Sequence, residues 1–149
     1  MYVKQQPLIL NQSRTGHKKF NMKLVLKLLI LVVALTVLSA WTFRLEMDTI
    51  YRGADASNMI EEFQAYGLNQ TTMIVVGIFK VMCAIFLLLG LKFEKFVTPA
   101  AFIMGTFMLA AIYFHISISD PIIPTAPSAM MFLSCAVIIY LDKKLSKSL

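Results

Sequence analysis

The sequence predicts an all-α fold: a bundle of four transmembrane helices with both termini cytoplasmic and a short amphipathic interfacial helix in the first outer loop. Three observations predict it. Of the 149 residues 58% are hydrophobic and 15% charged, with mean hydropathy +0.74, more apolar surface than a soluble domain of this size could bury. The apolar residues gather in four runs of about 20 residues, the length that a hydrocarbon core of about 30 Å requires. The basic residues concentrate in the connections on one side of those runs.

Residues 1–23 read as a basic cytoplasmic leader. The first span covers 24–43, rich in Leu and Val, with Trp41 and Phe43 placed where an aromatic belt meets the interface. Leu38-Ser39-Ala40 could end a cleavable signal peptide, but the run is too long and the leader too extended for one. In the outer loop from Arg44 to Thr72, Met59, Ile60, Phe63 and Tyr66 recur at helical spacing. Glu61, Glu62 and Gln64 fall elsewhere, so the segment predicts a short amphipathic helix lying on the membrane surface. Ser57 or Asn58 is suited to cap it and Gly67 to end it. Asn69-Gln70-Thr71 matches a glycosylation sequon, but it abuts the next span and reads as a chance match.

The second span covers 73–91, the third about 98–118 and the fourth 122–141, leaving 142–149 as a basic tail. Asp120 is suited to be the N-cap of the last helix, with Pro121 its first residue, and Pro127 predicts a kink. The small residues Ala101 and Gly105, and Gly77 with Ala84, suit close helix packing. Lys4, Arg14, Lys18, Lys19, Lys23, Lys92, Lys95, Lys143, Lys144 and Lys147 fall on one side, against Arg44 and Arg52 on the other. The positive-inside rule then puts both termini in the cytoplasm, as in a bacterial inner membrane.

Lys80 is the residue that asks for a function. It lies within the run Met73 to Leu91, where a central lysine costs roughly 2.5 to 3.5 kcal/mol. The surrounding Leu, Ile, Val and Phe residues, at roughly −0.3 to −0.6 kcal/mol each, offset that cost. Counted from Met73, Lys80 is about 10 Å deep, and its stem can lift the ammonium outward. His115 lies near the outer end of the third span, Asp120 above the fourth, and Glu46 just beyond the first. Together with Arg44 these residues predict a polar cavity in the outer half. The alternative is structural: Lys80 pairs with Asp120 or Glu46 to fix helix register, His115 sits at the interface and Asp120 caps.

Cys83 and Cys135 lie inside spans without metal-ligand spacing, and no catalytic signature or metal motif appears. The charge of +6 follows membrane orientation rather than a basic patch interleaved with aromatics, so no nucleic-acid partner is expected.

The run Gly77 to Gly90 (GIFKVMCAIFLLLG), the third span ending in Phe114-His115-Ile-Ser-Ile-Ser-Asp120-Pro121, Arg44-Leu45 and Tyr66-Gly67-Leu68 together resemble the DoxX-like family of small four-helix membrane proteins, from about Trp41 to Leu141. The resemblance implies association with quinone-linked oxidoreductase complexes or protection against oxidative stress. Distant eukaryotic relatives look like assembly chaperones for membrane receptors. Where the family often carries Gly-x-x-Glu in the second span, this chain has Gly77-Ile-Phe-Lys80; if the family glutamate pairs with the basic residue of the first span, the resemblance implies that Arg44 here faces Lys80, with Glu46 or Asp120 left to compensate. The preferred expectation is an accessory or assembly subunit, its partners being the bilayer and either a larger membrane complex or further copies of itself. A quinone-linked component using Lys80 and His115 is the first alternative, with quinone the one cofactor considered, and a small transporter the second.

Overall fold

Helices form in this chain because long apolar runs carry no backbone partner in lipid other than their own. The computed structural model describes residues 6–147, with side chains described from residue 16. Of the basic leader and tail, residues 1–5 (with Lys4) and 148–149 lie outside the described residues, as does the Arg14 side chain. Five helices are described: α1 (Gln6–Trp41), α2 (Met59–Ala65), α3 (Gln70–Gly90), α4 (Val97–Ser117) and α5 (Ile122–Ser146). Short 3-10 turns stand at Gly53–Asp55 and Glu94–Phe96, and no strand occurs among the described residues. Four helical segments, Gly16–Trp41, Gln70–Gly90, Glu94–Ser117 and Ile122–Ser146, are long and apolar enough to cross a membrane.

The packing is a closed ring. α1 lies against α3 and α5, α3 against α4, and α4 most extensively against α5. Ile30, Val33 and Val37 of α1 meet Ala84 and Leu87 of α3, Met104 of α4 and Ile138 of α5 in one core. The outward faces carry exposed Leu35, Phe79, Phe102 and Leu133, which water would penalise and acyl chains accept. Small residues permit the closest approaches. Gly105 lies against Cys135 with Ala101 fully buried beside it, and Gly77 receives the Trp41 ring so closely that a Cβ there would collide with it. Cys83 and Cys135 are free thiols in this core.

Several boundaries differ from the sequence reading. Helix α1 stops at Trp41 rather than Phe43, where Thr42 Oγ1 turns back to the Leu38 carbonyl at 2.6 Å. Helix α3 begins at Gln70, three residues before the apolar run. Asn69 is its N-cap, accepting from the Thr72 amide at 2.8 Å and the Thr72 hydroxyl at 2.9 Å. Lys80 is therefore ten residues into α3, about 15 Å along the helix from its start. Helix α5 is continuous through Pro127, and its N-cap is Pro121, with no side-chain cap. Asp120 is not that cap, because its carboxylate is held by groups across the loop.

The loop from residue 42 to 69 folds over one end of the bundle, which we term the loop end. Asn58 caps α2, its side chain accepting from the Glu61 amide at 3.0 Å, and Gly67 ends the segment at φ 74, a conformation that favours glycine. One face of α2 differs from its hydropathy pattern: Glu62 is buried, while Ile60 is exposed. At the opposite end, Lys23 and Lys27 of α1 line a smaller cavity with Glu94 and Asp142, and Thr98 donates to Asp142 at 2.6 Å.

Candidate functional site

Arg52 organises the loop end. Its guanidinium is buried and donates to Glu62 Oε2 at 3.0 Å, to the carbonyls of Met47 at 2.9 Å and Leu45 at 3.0 Å, and to the Arg44 carbonyl. One side chain thus gathers three loop carbonyls, those of Arg44, Leu45 and Met47, around a single charged donor. The other Glu62 oxygen accepts from the Gly53 amide at 2.9 Å and the Tyr66 hydroxyl at 3.1 Å. Glycine is required at 53: a Cβ there would collide with both the Tyr66 hydroxyl and the Asp120 carboxylate.

A second carboxylate continues the network into the span helices. Ser119, at φ 59, turns the chain sharply after α4 and brings Asp120 back onto His115. Asp120 Oδ2 lies 2.7 Å from His115 Nδ1, and Asp120 Oδ1 accepts from the Ala54 amide at 2.8 Å. Ala54, at φ 55, is itself in the left-handed region, and that amide bond is part of what holds it there. His115 Nδ1 also lies 3.0 Å from the Tyr66 hydroxyl. Ionised carboxylates only accept, so Nδ1 carries the proton toward Asp120 and Tyr66 donates to Glu62. Burial, reinforced by the nearby Glu62 charge, raises the Tyr66 phenol above its ordinary range and keeps it a donor.

Beneath this network lies a cavity of about 310 Å³ between the helices. Its walls are apolar and aromatic, with Trp41, Phe63, Phe107 and Phe114, and its polar lining includes Arg44, Glu62, Tyr66, Lys80 and His115. The Lys80 stem leans toward the N-terminus of α3, as helical side chains do, which sets the ammonium 5.7 Å from the centre of the Trp41 ring. It forms no hydrogen bond or ion pair with any described residue. The Arg44 guanidinium also has no such partner, and its Nε is buried.

The structure therefore divides the residues chosen from sequence. Lys80, His115 and Arg44 meet in one cavity. Asp120 supports His115 from behind, and Glu46 is exposed and does not line the cavity. Neither acid reaches Lys80, so the expected pairing of Lys80 with Asp120 or Glu46 is not formed. Arg52, Glu62 and Tyr66 went unrecognised as site residues. The available signal was Arg52 itself, a basic residue on the side that carries few, ten residues before a glutamate on a helix. Among the described residues, no group of three His, Cys, Asp or Glu side chains is placed to hold a metal ion.

Residues 28–138 match the DoxX-like family, a stretch that begins earlier than Trp41 and takes in parts of all four spans. No curated protein and no solved structure matches the chain. With the family matched over most of its length and four helices able to span a bilayer, this multi-pass integral membrane protein belongs to the DoxX-like family.

Proposed function

We propose that the protein binds a membrane-soluble small molecule with an oxygen-bearing headgroup, for which a quinone serves as probe, in the cavity beneath the 42–69 loop. The observation that carries this reading is Lys80: an ammonium inside a span, in a cavity with aromatic walls, that forms no hydrogen bond or ion pair with any described acid. Ligand cavities combine mostly apolar walls with a few convergent polar groups, and an intramembrane ionisable residue is a site candidate by default. His115 is committed to Tyr66 and Asp120, so the donors left for ligand oxygens are Lys80 and Arg44. Under the positive-inside rule the termini are cytoplasmic and the cavity lies in the outer half of a bacterial inner membrane. A loaded small protein of this kind also fits the accessory role that its size implies, delivering its ligand to a larger complex.

Trp41 is the chain's single tryptophan and lies in the cavity wall, so its fluorescence reports occupancy directly. Titration of the protein in nanodiscs with a short-chain quinone should give saturable quenching, weakened at least about tenfold in Lys80→Met. Quenching that only rises linearly with quinone in the membrane, unchanged in the variant, would overturn the reading.

A further inference from the structure

We infer that the molecule held in this cavity carries an anionic headgroup, a carboxylate on an apolar tail, received between Lys80 and Arg44. The inference rests on the cavity being a ligand site and goes further by naming the charge. It follows from how the acids at the loop end are used. Glu62 already accepts from Arg52, the Gly53 amide and Tyr66. Asp120 already accepts from His115 and the Ala54 amide. Glu46, Asp48, Asp55 and Glu61 are exposed on the loop, away from the cavity lining. Arg52 and Glu62 balance one another, and Asp120 stands behind His115, off the cavity lining. What remains on the cavity wall is two cationic side chains, Lys80 and Arg44, that form no ion pair with any described residue, because Glu62, an acid in the same lining, is taken by Arg52; Arg44 Nε is buried and unpartnered.

Two cations lining one largely apolar space repel each other, and the buried Arg44 Nε is left without an acceptor. A single carboxylate answers both. The guanidinium offers a planar fork that matches its two oxygens, and the ammonium adds a point charge. The walls suit the rest of such a molecule: Trp41, Phe63, Phe114 and Met131 give the tail apolar contact. A neutral headgroup would accept hydrogen bonds from the same donors without cancelling either charge, so the site should rank an acid above its neutral counterpart.

The test uses the full chain in nanodiscs of phosphatidylcholine and three probes of equal tail length: a tail-brominated fatty acid, its primary amide, and a quinone. Trp41 quenching measures each affinity at pH 7.5 in the wild type, Lys80→Met, Lys80→Arg and Arg44→Gln. We expect the acid to bind at least about tenfold more tightly than the amide. That preference should collapse in Lys80→Met, shrink in Arg44→Gln and persist in Lys80→Arg, which keeps the charge and serves as the folding control. Equal affinity for acid and amide, or saturable binding of the quinone alone, would overturn the anionic headgroup while leaving a ligand cavity in place. Saturable binding of none of the three would overturn both.

Discussion

His115 Nδ1 lies 2.7 Å from Asp120 Oδ2, and through the other oxygen of that carboxylate, 2.8 Å from the Ala54 amide, the end of α4 is tied to a loop 66 residues earlier in the chain. The contact ties Ala54, itself left-handed, to the residue that follows left-handed Ser119, two conformations that neither segment would adopt cheaply alone. It makes the lid over the cavity dependent on the span helices. Asp120→Ala should therefore free the 42–69 loop without unfolding the bundle. Limited proteolysis should cut that loop faster in the variant, while far-UV circular dichroism keeps its helical intensity.

Breaking the Arg52–Glu62 pair should cost more. Both side chains are buried, and Arg52 serves three carbonyls besides. Removing one partner of a buried pair typically costs about 3–5 kcal/mol, because the other charge is left uncompensated. Arg52→Ala should lower the thermal unfolding midpoint strongly, and Arg52→Ala with Glu62→Gln should recover part of the loss. If the double variant is no more stable than the single, the carbonyl contacts rather than the ion pair carry the effect.

At Gly77 the prediction concerns packing. A methyl there meets the Trp41 ring, so Gly77→Ala should destabilise by about 1–3 kcal/mol, the usual range for overpacking. A second change, Trp41→Leu, should restore most of it. Denaturation of the single and double variants in detergent measures the coupling.

Tyr66 should resist ionisation. Its folded-state pKa is raised by burial and by Glu62, whereas an unfolded tyrosine titrates near 10. Below pH 10 both states keep the proton and nothing is lost. Above it the unfolded state sheds a proton that the folded state retains, so the Tyr66 contribution lowers stability as pH rises. Phenolate absorbance should show one late-ionising tyrosine that appears only as the loop lets go, and Tyr66→Phe should remove that component.

How much of this was legible in the sequence depends on the range of the interactions. The spans could be read because a run such as Met73 to Leu91 has one stable state in lipid, and α2 because Asn58 and Gly67 mark its ends from within two residues of the helix. Asp120 was misread as a cap because its local role competes with His115 and Ala54, and the second of these is far away in sequence. Glu62 was placed on the outer face by hydropathy alone, which cannot see Arg52 folding over α2. Lys80 was singled out by its place in an apolar run, but its lack of an ion-pair partner depends on where the nearby carboxylates are already engaged.

The most direct measurement is the thermal unfolding midpoint of ligand-free Lys80→Met against wild type, followed by the shift each shows with the brominated fatty acid. If Lys80 is an unpaired cation kept for a ligand, the variant should be more stable when empty, by up to roughly 3 kcal/mol, the cost of a lysine deep in a span. It should also lose the stabilisation that the ligand gives the wild type. A variant less stable than wild type when empty, and still stabilised by the acid, would contradict the account, because Lys80 would then be a structural partner rather than the floor of a binding site.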